Sequence, residues 1–384
     1  MLRASCVVFV SLIFSGGLVS AGDDSPLGTN AALKYWQAFA TLPKLTDAEQ
    51  KVLIKEFPTM PLDAHARELV TSAEYSLRMM YRGAAVRPCD WGIGWKDDGA
   101  ETRLPQLSAA RVLTALASLR ARISFEKGRP QAAVDDIVAA LTLGRQVSLD
   151  GSLIGVITGY AIEAHTYDAL AIDLPRLNAD TLNDLKSRLA ALPPGGRPAL
   201  AIKDAEENTV EWIGGKVKET KDVAELQKLL IDLGLIEGKD QDKTAKARAL
   251  VEECGGNKEG FLQRLDDMRS AYALISAKLD LPLERSEKEF ESVTKGLEAN
   301  PLYKLVFPSA LACRRAQART DIRRSLLAAA IDIQLNGRDA LKNHPDPVTG
   351  APFELTAFDG GYELRSSWQQ KPAPLTLTVG RRGK

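Results

Sequence analysis

From Ser152 to Ile162 the chain has no charged residue, and its apolar positions Leu153, Ile154, Val156, Ile157, Tyr160 and Ile162 fall on every side of a helix. A helix that is apolar all round has no face for water. This segment is therefore expected at the centre of a helical protein, buried by other helices. Glu163, His165 and Asp168 follow at the edge of that core, where ionisable groups must be paired or exposed. Glu163 and His165 are two residues apart and point to different sides, so they do not share a metal.

The rest of the chain supplies the surrounding helices. Asn30 is placed to cap a helix through about Leu42, and Thr46-Asp47-Ala48-Glu49 is a capping box for a second one that Pro58 ends. Helical spacing of Leu69, Ala73, Leu77 and Met80 predicts one long helix over about 63–82. Residues 84–103 break the pattern with turn formers and acids and read as a loop. Helix resumes from Pro105 to about Lys127, and Gly128-Arg129-Pro130 turns the chain into another over 131–147, an antiparallel hairpin. Gly128, Ala133, Ile137 and Ala140 give this hairpin the second half of a tetratricopeptide-like pattern, without a second copy at that period.

Asn178–Leu192 is amphipathic and is closed by Pro193-Pro194-Gly195-Gly196, a boundary between an N-terminal helical half (22–192) and a C-terminal one (197–344). The second half carries helix-like stretches near 201–212, 223–233, 243–254, 258–279 and 283–297. A long helix then runs from Ser309 to Asn336. Phe353–Thr356 and Tyr362–Arg365 alternate apolar with polar around Asp359-Gly360-Gly361, which predicts a β-hairpin within a 345–368 cap. In the 369–384 tail, Leu375–Val379 is a candidate third strand, and Arg381, Arg382 and Lys384 are expected to fray. The fold class is all-α: a bundle or irregular solenoid of antiparallel helical hairpins with a small C-terminal β-hairpin.

Residues 1–21 have the form of an export signal, with Arg3, an apolar run from Cys6 to Phe14, and small residues at Val19-Ser20-Ala21. The mature chain is expected in the periplasm, at the cell surface or secreted. No later stretch approaches about 18 uncharged residues, so no membrane span is expected in it. Fifty basic and fifty acidic residues cancel, which argues against nucleic acid as the main partner. Cys89, Cys254 and Cys313 remain after signal removal, so one bridge at most can form; burial as unpaired thiols is the alternative.

Two groups of residues are candidate sites. In the loop, Trp91 and Trp95 offer flat faces to a sugar ring, while Asp90, Asp97, Asp98 and Glu101 offer carboxylates; the same residues also suit a structural plug with solvated acids. On the long helix, projection at 100° per residue puts Arg315 inside the apolar stripe and Arg319 at its edge. There they form either an anion pocket or a bridge to a carboxylate such as Glu163 or Asp168. Three histidines, none near another, give no metal site or Ser-His-Asp triad, and Gly92-Ile93-Gly94 lacks the setting of a phosphate loop. No cofactor is called for.

The run Cys89–Ile93, then Leu104–Arg111, the hairpin, His344–Pro347, Pro352–Leu355 and Gly360–Ser366, in that order, resembles a family of exported bacterial helical proteins with no assigned activity. The resemblance implies one fold over most of the mature chain and export, and it adds no chemistry. The function expected is that of a non-catalytic binding or scaffold protein of the cell envelope, with a protein or an envelope glycan as partner. The alternative is a carbohydrate-active hydrolase using the loop carboxylates.

Overall fold

In the computed structural model, which describes residues 30–236, 238–303, 310–369 and 374–382, several helices begin where a side chain satisfies a free N–H group. The export signal expected at 1–21 lies outside the described residues. Asn30 accepts from Ala32 N to open α1 (Ala31–Ala40), and Thr46 with Glu49 completes both halves of a capping box on α2 (Asp47–Glu56). The helix expected over 63–82 is two helices, α3 (Ala64–Ser72) and α4 (Glu74–Ala84), interrupted at the buried Ala73. No Gly or Pro marks this break. Thr71 Oγ1 bonds back to Arg67 O and Ser72 Oγ to Leu69 O, and such back-bonding bends a helix.

The loop holds one α-helical turn, α5 (Trp95–Asp98), followed by a 3₁₀ turn over Gly99–Glu101. Proline at the first position opens both α6 (Pro105–Glu126) and α7 (Pro130–Val147), which fold back on each other as a hairpin. Then come α8 (Leu153–Asp173), α9 (Ala179–Ala190), α10 (Pro198–Ala205), a π-helical turn (Glu206–Glu211) and α11 (Trp212–Glu219). The series continues with α12 (Val223–Asp232), α13 (Asp240–Glu253), α14 (Lys258–Leu279), α15 (Leu283–Leu297) and the long α16 (Ala310–Asn336).

Helix α8 contributes to three apolar cores. Ile162 and Ala169 join the first, built from α1–α4, α6 and α7. Leu153, Val156 and Tyr160 join the second, built from α10–α14, and Tyr167, Leu170 and Ala171 join the third, with α9, α16 and the C-terminal sheet. Its central position is as expected, but it is not buried all round. Ile154 and Ile157 remain 58% and 41% exposed, because helices pack on the other sides of α8 and leave this strip open. Glu163 is buried on α8 and paired with Arg145 of α7 at 3.4 Å and Arg324 of α16 at 3.1 Å, while Tyr167 Oη donates to it at 2.7 Å. A buried carboxylate needs such partners.

The chain ends in a three-stranded antiparallel sheet of β1 (Glu354–Phe358), β2 (Gly361–Arg365) and β3 (Thr376–Gly380), in that order. The candidate third strand is thus present within what was expected to be a tail. Leu364, Leu377 and Val379 are buried on α8 and α16, and Tyr362 Oη donates to Ala330 O. Gly380 has φ of 88°, and a Cβ there would meet Gly360 O at 2.3 Å, so only glycine lets the chain turn out of β3 at this point. Cys89, Cys254 and Cys313 are free thiols, and burial pushes Cys89 up to about 12.

Candidate functional site

The Trp-Asp loop is fastened to the helices by its tryptophans. Trp91 is 5% exposed, lies between the rings of Tyr35 and Phe39 at 5.7 and 6.1 Å, and donates Nε1–H to Gln146 O at 2.9 Å. Trp95 donates to Asp150 O at 2.9 Å, and Trp212 of α11 donates to Asp97 O at 3.2 Å. Gly99 sits beneath Trp212 with φ of 50°, where a Cβ would fall 2.1 Å from the indole. The candidates Asp97, Asp98 and Glu101 are exposed. Asp97 lines a pocket of about 360 Å³, which it shares with Lys96, Asn208, Glu211, Trp212 and Lys216. Neither Trp91, Trp95, Asp98 nor Glu101 reaches that pocket, so the loop candidates are not brought together there. Among the described residues no group of three His, Cys, Asp or Glu could hold a metal.

The α16 arginines are placed differently from their projection. Arg315 is half-exposed and pairs with Glu287 of α15 at 2.7 Å. Burial and the neighbouring Arg323 and Arg315 lower the Arg319 guanidinium. The bridges to Glu163 and Asp168 are made instead by Arg324 and by Arg323, the latter at 3.9 Å. Ideal 100° spacing does not allow for the stem of a long arginine, which chooses its side through packing.

Arg323 belongs to a different site. A cleft of about 790 Å³ opens between the end of α2, α6, α8, α16 and β3, lined by Lys55, Arg122, Arg323, Arg381 and Arg382 against one carboxylate, Asp168. Arg122 forms its floor. It is 5% exposed, its Nη1 donates to Phe57 O at 2.6 Å, and its Nε has no partner among the described residues. The contact follows from the sequence: Pro58 stops α2 and leaves the Phe57 carbonyl without an intrahelical donor, and Arg122 in the last turns of α6 supplies one. Burial lowers the Arg122 guanidinium, and the charge of Arg381 lowers it further.

Arg381 and Arg382, expected to fray, are anchored. Arg381 pairs at 3.2 Å with Asp173, which is fully buried and also bridged by Arg176 at 3.1 Å; Arg382 pairs with Glu363 at 3.2 Å and lies over the Phe358 ring. His165 lines the same cleft with its ring edge-on to Phe57, and burial, then Arg323 and Arg111, push its pKa below the usual histidine value. The cleft thus holds excess positive charge around a buried guanidinium with hydrogen-bonding capacity to spare, a setting that favours an anion. The sequence signal was Arg122 itself, a charge between Ala121 and Ile123 of α6, whose importance depends on a helix end far away in the chain.

No family model matches the chain, and no curated protein or solved structure matches it either.

Proposed function

We propose that the protein is a non-catalytic, exported binding protein of the cell envelope, and that the cationic cleft is its ligand site. The observation that carries this reading is Arg122, buried in the lining of the cleft, with an Nε that has no partner among the described residues and with four more cations around it. Burying a charge costs several kcal/mol unless it is compensated, and a bound anion supplies the compensation. The α6–α7 hairpin, tetratricopeptide-like in its buried Ala133 and Ala140, is the frame that holds Arg122 in place. Export rests on the form of residues 1–21. Thermal melts in sodium pyrophosphate, against sodium chloride at matched ionic strength, test the reading. Pyrophosphate should raise the midpoint of the parent and not that of Arg323→Gln; an equal rise in both contradicts it.

A second reading, a carbohydrate-active hydrolase, is favoured by one observation. Asp97 and Glu211 line one pocket beside the Trp212 indole, the pairing of carboxylates and aromatic ring that a glycosidase uses. It predicts release of reducing sugar from an envelope glycan, abolished by Asp97→Asn; no release by the parent excludes it.

A further inference from the structure

The cations of the cleft fall into two groups held by different turns of α8. Arg381 is tied to Asp173 at 3.2 Å and Arg323 to Asp168 at 3.9 Å, and the helical rise separates those two carboxylate positions by about 7.5 Å along the α8 axis. Arg122 belongs with the first group, since the charges acting on it are Arg381, Asp173 and Glu126. Arg323 forms the second, where it acts on His165 and Asp168.

Each group keeps hydrogen-bond donors in reserve. A guanidinium carries five N–H donors. Among the described residues, Arg122 donates to Phe57 O alone, and Arg323 makes no hydrogen bond, since Asp168 lies beyond hydrogen-bond distance. Strand β3 forms another wall, lining the cleft with Thr376 and Thr378 while Leu377 and Val379 are buried in the core. One small anion cannot saturate two separated sets of donors, whereas a phosphoryl group brings three acceptor oxygens to each set.

Building on the anion-site reading, we propose that the ligand carries two phosphoryl groups joined by a short linker, one seated at Arg122 and Arg381 and the other at Arg323. The cleft, at about 790 Å³, has room for both. What selects two groups over one is the separation of the cations: a second contact adds affinity only where the linker matches the span between them.

Isothermal titration of the full chain with methylphosphonate and with α,ω-alkane bisphosphonates of one to five methylenes tests this, because the bisphosphonates differ in spacing far more than in charge. The best of them should bind at least about tenfold more tightly than methylphosphonate, and the worst spacing should lose at least about fivefold of that. Arg323→Gln should erase both the gain and the dependence on spacing. It should leave methylphosphonate within about twofold of its affinity for the parent, which also shows that the variant is folded. A flat response to spacing in the parent, or a gain that survives Arg323→Gln, overturns the two-group ligand while leaving the anion cleft standing. So does loss of methylphosphonate binding in an Arg323→Gln protein that melts like the parent. Absence of binding by every probe overturns both.

Discussion

Arg122 Nη1 donates to the backbone carbonyl of Phe57 at 2.6 Å, joining the end of α2 to the end of α6 across 65 positions of chain. The bond fixes the guanidinium at the floor of the cleft, and Nε is left with no partner among the described residues. A charged group held this way contributes to two properties, the closure of α2 onto α6 and the attraction of an anion.

Replacing Arg122 by Met keeps the stem and removes the charge. Loss of the bond to Phe57 O should lower the unfolding free energy by about 1–2 kcal/mol, partly offset by no longer burying a charge. Anion affinity should fall by about tenfold or more. Urea melts and titration calorimetry read the two effects separately, and a variant that binds like the parent would remove Arg122 from the site.

Ile157→Asp should change stability by no more than about 0.5 kcal/mol, because the side chain is 41% exposed and a carboxylate there stays hydrated. Periodicity alone makes this helix buried throughout and predicts unfolding instead. A large drop in the chemical-denaturation midpoint would restore that picture.

The third strand should matter more than its place near the chain terminus suggests. Leu377 is 1% exposed between the sheet and the helices, so Leu377→Ala should cost about 2–5 kcal/mol in equilibrium unfolding. Deleting residues 369–384 should destabilise as severely, since it also removes Arg381 from the buried Asp173. Parent-like calorimetry of that deletion would mean that β3 does not pack.

Asp150 is a buried carboxylate that accepts from Ser152 N and Oγ and from Gln106 Nε2. Burial raises its pKa above the usual 3.8, and these hydrogen bonds only partly oppose the shift. The folded state therefore holds this proton more tightly than the unfolded chain, and the contribution of Asp150 to stability declines as pH rises from about 4 through its folded pKa. Asp150→Asn lacks that decline. Its stability relative to the parent should rise over this window and then level off; a constant difference across the pH range would show that Asp150 titrates normally.

Acid should tighten anion binding. Burial, Arg323 and Arg111 hold His165 below its usual 6.5, and an anion in the cleft favours the imidazolium, so binding takes up a proton below about pH 6.5. Asp168, raised above 3.8 by burial against the pull of Arg323, loses its negative charge in the same direction. Affinity should rise as pH falls towards 5, with a smaller slope for His165→Gln. A pH-independent affinity would place the anion elsewhere.

Local signals carried most of the helix limits. The Thr46–Glu49 capping box, Asn178, and proline at the start of α6 and α7 act within a single turn, so their effect is readable from neighbours in sequence. The alternation around Asp359-Gly360 likewise marked the sheet. What was not readable depends on distant partners. Ala73 interrupts a helix without a breaker residue, and Ile157 is exposed because of where other helices stop. Arg381 is ordered by Asp173, 208 positions away. The cleft shares that property: Lys55, Arg122 and Arg323 come from three helices and Arg381 from the segment after β3, and no one stretch of sequence announces them.

The most direct test is diffraction from crystals soaked in sodium tungstate, whose tetrahedral dianion is dense enough to locate by anomalous scattering. The account predicts a peak in the cleft beside the Arg122 and Arg323 side chains, lost in Arg122→Met crystals. Peaks confined to exposed lysines and arginines, with none in the cleft, would contradict it.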